Sequence, residues 1–297
     1  MAERDNMAER TASHFQREAD GHVVCGLCPH GCRIAPGRHG RCHVRRNEGG
    51  TLIAETYGRP AAMHVDPIEK KPLAWYRPGS RTFSIGTYGC NFSCRFCQND
   101  ELSRHGGARQ RSLPFVAPDE IVGLAHRHGC ESVAFTYNEP TMFFEYMLDV
   151  ARLARAAGLG TVLVSNGFIS PAPRCELYPL IEAANIDIKG FSEEFYATLC
   201  GGRLAPVLES CRAAKREHGV HLELTNLLIP NRNDSTEMVK ALLQWVADEL
   251  GTDTPIHFSA YFPRGGFNEP PTPPATVRMA MELARKQGFA RVLSGNI

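Results

Sequence analysis

From residue 81 to its end, the chain alternates seven short β-rich runs with helical stretches, and this order constrains the fold more than any other feature. The runs are TFSIGTY (82–88), SVAFTY (132–137), TVLVS (161–165), NIDIK (185–189), VHLELTNLL (220–228), IHFSAYF (256–262) and ARVLS (290–294). Between them, PDEIVGLAHRHG opens on Pro118 and stops at Gly129, and TMFFEYMLDVARLARAAG closes on Gly158. Strands joined through helices pair in parallel by right-handed crossovers. Periodicity leaves two arrangements open, a doubly wound sheet and a barrel. The polar residues decide between them. Cysteines follow the first run, NEP the second and SNG the third; DIKG closes the fourth, TNLLIP the fifth and FSAYFPRGG the sixth. Functional groups at the C-terminal ends of successive strands are the layout of a barrel, whereas an open sheet gathers them at one switch point. The expected fold is α/β: a (β/α) barrel, complete or partial, over residues 81–297.

Ahead of the barrel, residues 21–80 are rich in Cys, Gly, Pro and His with little periodicity, and read as an irregular metal-binding segment. Residues 1–20 are charged and lack a signal peptide's apolar core, so a disordered tail and a cytoplasmic protein are expected. No apolar run reaches the roughly 18 residues of a membrane span. A formal charge of +1 provides no field to recruit nucleic acid or anionic membrane.

Eleven cysteines, seven of them before residue 98 and at short spacings, point to metal binding rather than disulfides. Cys130, Cys175, Cys200 and Cys211 read as idle thiols. Cys90, Cys94 and Cys97 follow a C-x3-C-x2-C spacing with no fourth cysteine before Cys130. Three thiolates on a [4Fe–4S] cube leave one iron open to an amine and a carboxylate, both of which S-adenosylmethionine (SAM) carries. A zinc site with a remote fourth ligand such as His105 is the alternative. Phe96 adds an aromatic face beside the open iron. Cys25, Cys28, Cys32 and Cys42 fit a closed structural zinc site, with a second iron–sulfur cluster as the rival.

Further candidates carry weaker signals. His64, Asp66, Glu69, Lys70 and Lys71, in MHVDPIEKKPLAWY (63–76), either face a substrate or belong to a solvated connector. His257 and Ser259 alternate by two and share a strand face, which places His257 among the candidate catalytic residues if that face is the barrel interior. Arg264 and the following Gly- and Pro-rich stretch could form a lid.

C-x3-C-x-Phe-C directly after a first barrel strand resembles the signature of the radical SAM superfamily. HVDPIEKKPL, PGSRTFSIGTYGCNFSCRFCQN, FTYNEPT and SNGFI resemble more closely the AmmeMemoRadiSam-system radical SAM enzymes, relatives of pyruvate formate-lyase activating enzyme in fold. The resemblance implies that Cys90, Cys94 and Cys97 hold the cluster. YNEP stands where the superfamily has a GGEP-like stretch for the SAM amino group, which nominates Asn138 and Glu139 although the double glycine is missing. Ser165 and Asn166 correspond to a ribose contact, and Asn226 is a further cofactor candidate. Asp187 and Lys189 correspond to a D-x-K near the SAM carboxylate and sulfonium, with a catalytic role. The implied activity is reductive SAM cleavage to a 5′-deoxyadenosyl radical that abstracts hydrogen. A flavodoxin- or ferredoxin-type electron donor and a small-molecule or protein side-chain substrate are implied with it. Three alternatives stand beside this reading: a glycyl-radical enzyme activase, an enzyme rearranging the aminocarboxypropyl part of SAM itself, and a non-catalytic zinc-binding interaction protein.

Overall fold

The computed structural model describes residues 10–264 and 266–297. Its N-terminal part holds six short strands: β1 (Arg10–Thr11), β2 (Phe15–Arg17), β3 (Val23–Cys25), β4 (Arg33–Ile34), β5 (Arg45–Glu48) and β6 (Thr51–Ala54). They pair antiparallel into two small sheets, in the orders β1-β6-β5 and β2-β3-β4.

The next eight strands form one sheet whose order follows the chain. They are β7 (Ala62–Pro67), β8 (Arg81–Gly86), β9 (Ser132–Phe135), β10 (Gly160–Ser165), β11 (Ala183–Asp187), β12 (His221–Leu228), β13 (Ile256–Ala260) and β14 (Val292–Gly295). From β8 to β14 every pairing is parallel. All seven runs expected as strands are strands. Among the described residues no ladder joins β7 to β14, so the sheet is a partial barrel.

The helices between the strands bury one face each. Pro118–Arg127 starts on its proline and buries Ile121, Val122 and Ala125. In Thr236–Glu249, the Ser235 side chain accepts from the Met238 amide at the N-cap and Val239, Leu242, Leu243 and Val246 face inward. Phe144–Ala156 also has an inward polar residue, Glu145.

That glutamate corrects the first boundary. Residues 1–9 of the expected disordered tail lie outside the described residues, but residues 10–20 are folded. Ser13 donates to the Glu145 carboxylate through its amide at 2.7 Å and its hydroxyl at 2.8 Å. Arg45 donates to the same carboxylate at 2.6 and 2.7 Å. A buried carboxylate needs such partners, and they draw the segment down. A second boundary also moves. The barrel sheet starts at Ala62 rather than residue 81, because β7 runs antiparallel to β8 with Ala62 opposite Gly86. Its alternating polar side chains had the appearance of a connector.

Past β7 the chain turns under the barrel and plugs its floor. Ile68 and Leu73 are fully buried against Ala134, Val162 and Ala183. Asn185 donates to the Pro72 carbonyl at 2.8 Å. Glu223 accepts from the amides of Ala74 and Trp75 at 3.0 and 2.8 Å.

Candidate active site at the barrel mouth

A cavity of about 570 Å³ opens at the C-terminal ends of the parallel strands, within the range of small-molecule sites. Its wall gathers Cys90, Cys94, Cys97, Phe96, Asn138, Glu139, Ser165, Asn166, Asp187 and Lys189. These residues span a hundred positions of sequence. The parallel order of β8 to β11 brings them together, since each follows or ends its strand on the same side of the sheet.

The cysteine loop is held from three directions. Asn138 accepts from the Thr87 amide at 2.9 Å, and its side-chain amide donates to the carbonyls of Tyr88 and Gly89 at 3.2 and 2.9 Å. The amides of Ser93 and Arg95 donate to the carbonyls of Cys200 and Leu199. Asn91 donates to the Phe168 carbonyl at 2.7 Å. Asn138, expected to contact a cofactor, spends its hydrogen bonds on fixing this loop. Gly86 permits the close crossing beneath it, for a Cβ there would meet the Thr136 carbonyl at 2.6 Å.

Donors surround the sulfurs. The Phe92 amide lies 3.4 Å from Cys90 Sγ and the Asn166 side-chain amide 3.8 Å from the same sulfur, while the Cys97 thiol donates to Ser103 Oγ at 3.5 Å. Burial pushes the Cys90 thiol well up, with the Glu139 charge adding to it. Cys94 is held below the ordinary thiol value, chiefly because the Cys200 thiol donates to it, with the Lys189 charge adding to this. Burial sends Cys200 itself far upward. Its place beside Cys94 was invisible in the sequence, where it read as idle; no spacing links residue 200 to the motif. The donor set suits thiolates that share charge with a metal cluster.

Glu139, four residues past the end of β9, is extended, as its following proline favours. It is buried and lines the cavity. Its Oε1 accepts from Thr141 N, Thr141 Oγ1 and Ser165 Oγ, and its Oε2 from Asn166 N, at 2.7–3.0 Å. Burial still raises its pKa, and these four donors offset only part of that. No cation of the chain pairs with it among the described residues, so a cationic ligand group would complete the charge. Across the cavity Lys189 lies 2.9 Å from Asp187. Burial opposes the lysine's charge, but Asp187 and Cys94 overcome it and hold Lys189 well above the ordinary value.

The connector contributes more than expected. Lys70 and Lys71 line the cavity together with Tyr137. Asp66 accepts from Lys70 at 2.8 Å, Lys71 at 2.7 Å and the Tyr137 hydroxyl at 2.6 Å. Burial lowers the Lys71 pKa despite the Asp66 charge. Tyr137 stands in the left-handed region at φ +72°, strain that a packed site can hold. His64 meets the Tyr137 ring edge, and Glu69 accepts from the Gly79 amide. Neither is among the residues of the cavity wall.

Two residues lie elsewhere than expected. His257 does share the inward face with Ser259, and Ser259 lines the cavity. His257, however, sits one layer lower. Its Nε2 donates to Glu223 at 2.7 Å, against the edge of Trp75, and the side chain belongs to the floor. The period of two gave its face correctly but not its depth. Asn226 faces away from the cavity, between inward-facing Thr225 and Leu227, and donates to the Ile188 carbonyl at 2.7 Å. It braces neighbouring strands. The residues after β13 pack on the cysteine loop: Phe267 is buried against Phe96, their ring centroids 6.1 Å apart, and Arg264 lies 3.6 Å from Asp100.

The family model of the radical SAM superfamily matches residues 84–246. An uncharacterised protein of Methanocaldococcus jannaschii is 39% identical over 291 residues, covering 97% of this chain and 85% of that protein. A pyruvate formate-lyase-activating enzyme of Listeria monocytogenes is 25% identical over 179 residues, 57% of this chain and 70% of the relative. Among solved structures, a radical SAM methyltransferase of Sphaerobacter thermophilus superposes with a TM-score of 0.54 at 15% identity, over 74% of this chain and 67% of that one. Streptococcus suis SuiB bound to S-adenosylmethionine gives 0.56 at 14% identity, over 72% and 50%. At such identities these two likenesses establish the fold alone.

Proposed function

Because this chain belongs to the radical SAM superfamily and is a radical SAM enzyme, we propose that Cys90, Cys94 and Cys97 hold its [4Fe–4S] cluster and that the cavity beside them binds SAM and an organic substrate. When bound and reduced, the cluster supplies the electron that splits SAM into methionine and a 5′-deoxyadenosyl radical, which abstracts hydrogen from the substrate. One observation carries this reading: the three thiols share a single cavity with a buried, cation-less carboxylate and an Asp–Lys pair.

Each side chain then has a task. Glu139 receives the SAM ammonium, and Ser165 and Asn166 keep its carboxylate oriented. Lys189, fully charged, attracts the SAM carboxylate, while Asp187 faces the sulfonium end. Phe96 and Phe92 wall off water from the cluster side. Lys71, held by Asp66 and Tyr137, presents a buried cation to the substrate. A low-potential one-electron donor of flavodoxin or ferredoxin type supplies the electron, and hydrogen comes from a small molecule or a protein side chain. The four N-terminal cysteines provide a second metal site. Anaerobic incubation with SAM and dithionite tests the proposal, with mass spectrometry for 5′-deoxyadenosine. Its formation by wild type and its loss in Cys94→Ala are expected; equal formation in both would overturn the assignment.

A further inference from the structure

The N-terminal cysteines converge on a small cavity of their own. Cys25, Cys28, Cys32 and Cys42 line it together with Arg45 and Asn91, and none of the four is in a disulfide. A tetrahedral zinc with bonds of about 2.3 Å would draw four sulfurs to within about 3.8 Å of one another. That contraction is missing. Among the described residues, only Glu18, Asp20 and His22 bring three potential ligand atoms within 4.8 Å of each other. No three of the four sulfurs do. Glu18 and Asp20 already pair with Arg33 on the surface.

A second observation points into the same cavity. Arg45 is 1% exposed. Its Nη1 donates to the Ser13 carbonyl and its Nη2 to Glu145. Its Nε is buried without an acceptor. Leaving a buried N–H without an acceptor is costly, and sulfide in an iron–sulfur cube is an acceptor that would take it. Arg45 also places a fixed positive charge beside four thiolates.

The cage abuts the radical SAM loop. A Cβ on Gly89 would lie 2.6 Å from the Cys42 carbonyl. Cys90 and Phe92 face the large cavity while Asn91 between them faces the small one. His30, from the cage, donates to the Asn91 carbonyl at 2.7 Å. One residue of backbone separates the two chambers.

We propose that Cys25, Cys28, Cys32 and Cys42 hold a second [4Fe–4S] cluster, accepting a hydrogen bond from Arg45 Nε and lying against the Cys90–Cys97 loop. Four thiolates saturate this cube, so it offers no iron to a ligand and can exchange only electrons. The proposal is tested on anaerobically reconstituted full-length protein by iron, sulfide and zinc analysis, with electron paramagnetic resonance of the dithionite-reduced state. Wild type should hold about eight irons and no stoichiometric zinc, with a spectrum broadened by coupling between neighbouring clusters. The triple variant C90A/C94A/C97A should keep about four irons and give one uncoupled signal that SAM does not alter. Cys28→Ala removes a ligand that also ties the N-terminal part together, so Arg45→Lys serves as the second variant. It keeps the charge, lacks the Nε donor, and should shift that signal's midpoint potential downward without changing iron content. One zinc per chain and no iron in the triple variant would overturn the proposal. Failure of SAM cleavage with both clusters present would instead count against the proposed function alone.

Discussion

The two ends of the same parallel sheet are both rich in buried polar groups, yet they differ in what those groups have left to give. On the floor, Glu223 is fully buried and each of its oxygens already accepts twice, from His221, His257 and two backbone amides. At the mouth, the cysteine sulfurs, Glu139 and the Asp187–Lys189 pair line a cavity of about 570 Å³. Burial alone therefore does not mark a functional group. Unspent charge or bonding capacity beside a cavity does. Substitutions at the mouth should cost chemistry and spare the fold, while those on the floor should cost the fold and spare chemistry.

The sharpest test is Cys94→Ala. SAM cleavage should vanish together with the cluster's visible absorbance, while the far-ultraviolet dichroism of the barrel is retained. An unfolded variant would place Cys94 with the floor residues and break the distinction.

Glu223 provides the opposite case. Four hydrogen bonds outweigh its burial and hold its pKa at about 2, below the ordinary 4.5. A depressed carboxylate contributes stability above its unfolded pKa, and that contribution is lost as pH falls from about 4.5 to about 2. The loss is on the order of 3 kcal/mol. Denaturant titrations across this window should show the fall in wild type and a shallower one in Glu223→Gln. At pH 7 the variant should be less stable but form 5′-deoxyadenosine at the wild-type rate per cluster; a large drop in that rate would join floor to mouth.

Glu139→Gln should keep the cluster and weaken SAM binding roughly ten- to hundredfold, the worth of about 1.5–3 kcal/mol for a charge-assisted contact. Calorimetry on the anaerobic protein reads this directly, and unchanged affinity would remove Glu139 from the SAM pocket. Asp187→Asn should also keep the cluster, with a smaller loss of affinity than Glu139→Gln and a lower cleavage rate.

The smallest effect is expected for Asn226→Ala. Losing its bond to the Ile188 carbonyl should cost about 1 kcal/mol of stability, with SAM affinity unaltered. A fall in affinity would return this residue to the cofactor.

The sequence by itself determined the order of strands and helices, because a period of two and helix-stop glycines are local signals. It also marked the cysteine motif, Glu139, Ser165, Asn166, Asp187 and Lys189, since a parallel barrel brings the residues after its strands to one end. Depth and direction were decided only by packing. His257 shares its face with Ser259, but a strand rises about 3.3 Å per residue, and two residues separate the chamber from the floor. Asn226 differs from Thr225 and Leu227 by one step of the pleat. Lys71 and Tyr137 meet at Asp66 only because the chain passes under the barrel before β8 begins. Cys200 reaches Cys94 only because its own carbonyl and that of Leu199, at the end of a helical turn, receive the cysteine loop. Such meetings join residues far apart in the chain. No local spacing encodes them, and the packing of the curved sheet on its floor creates them.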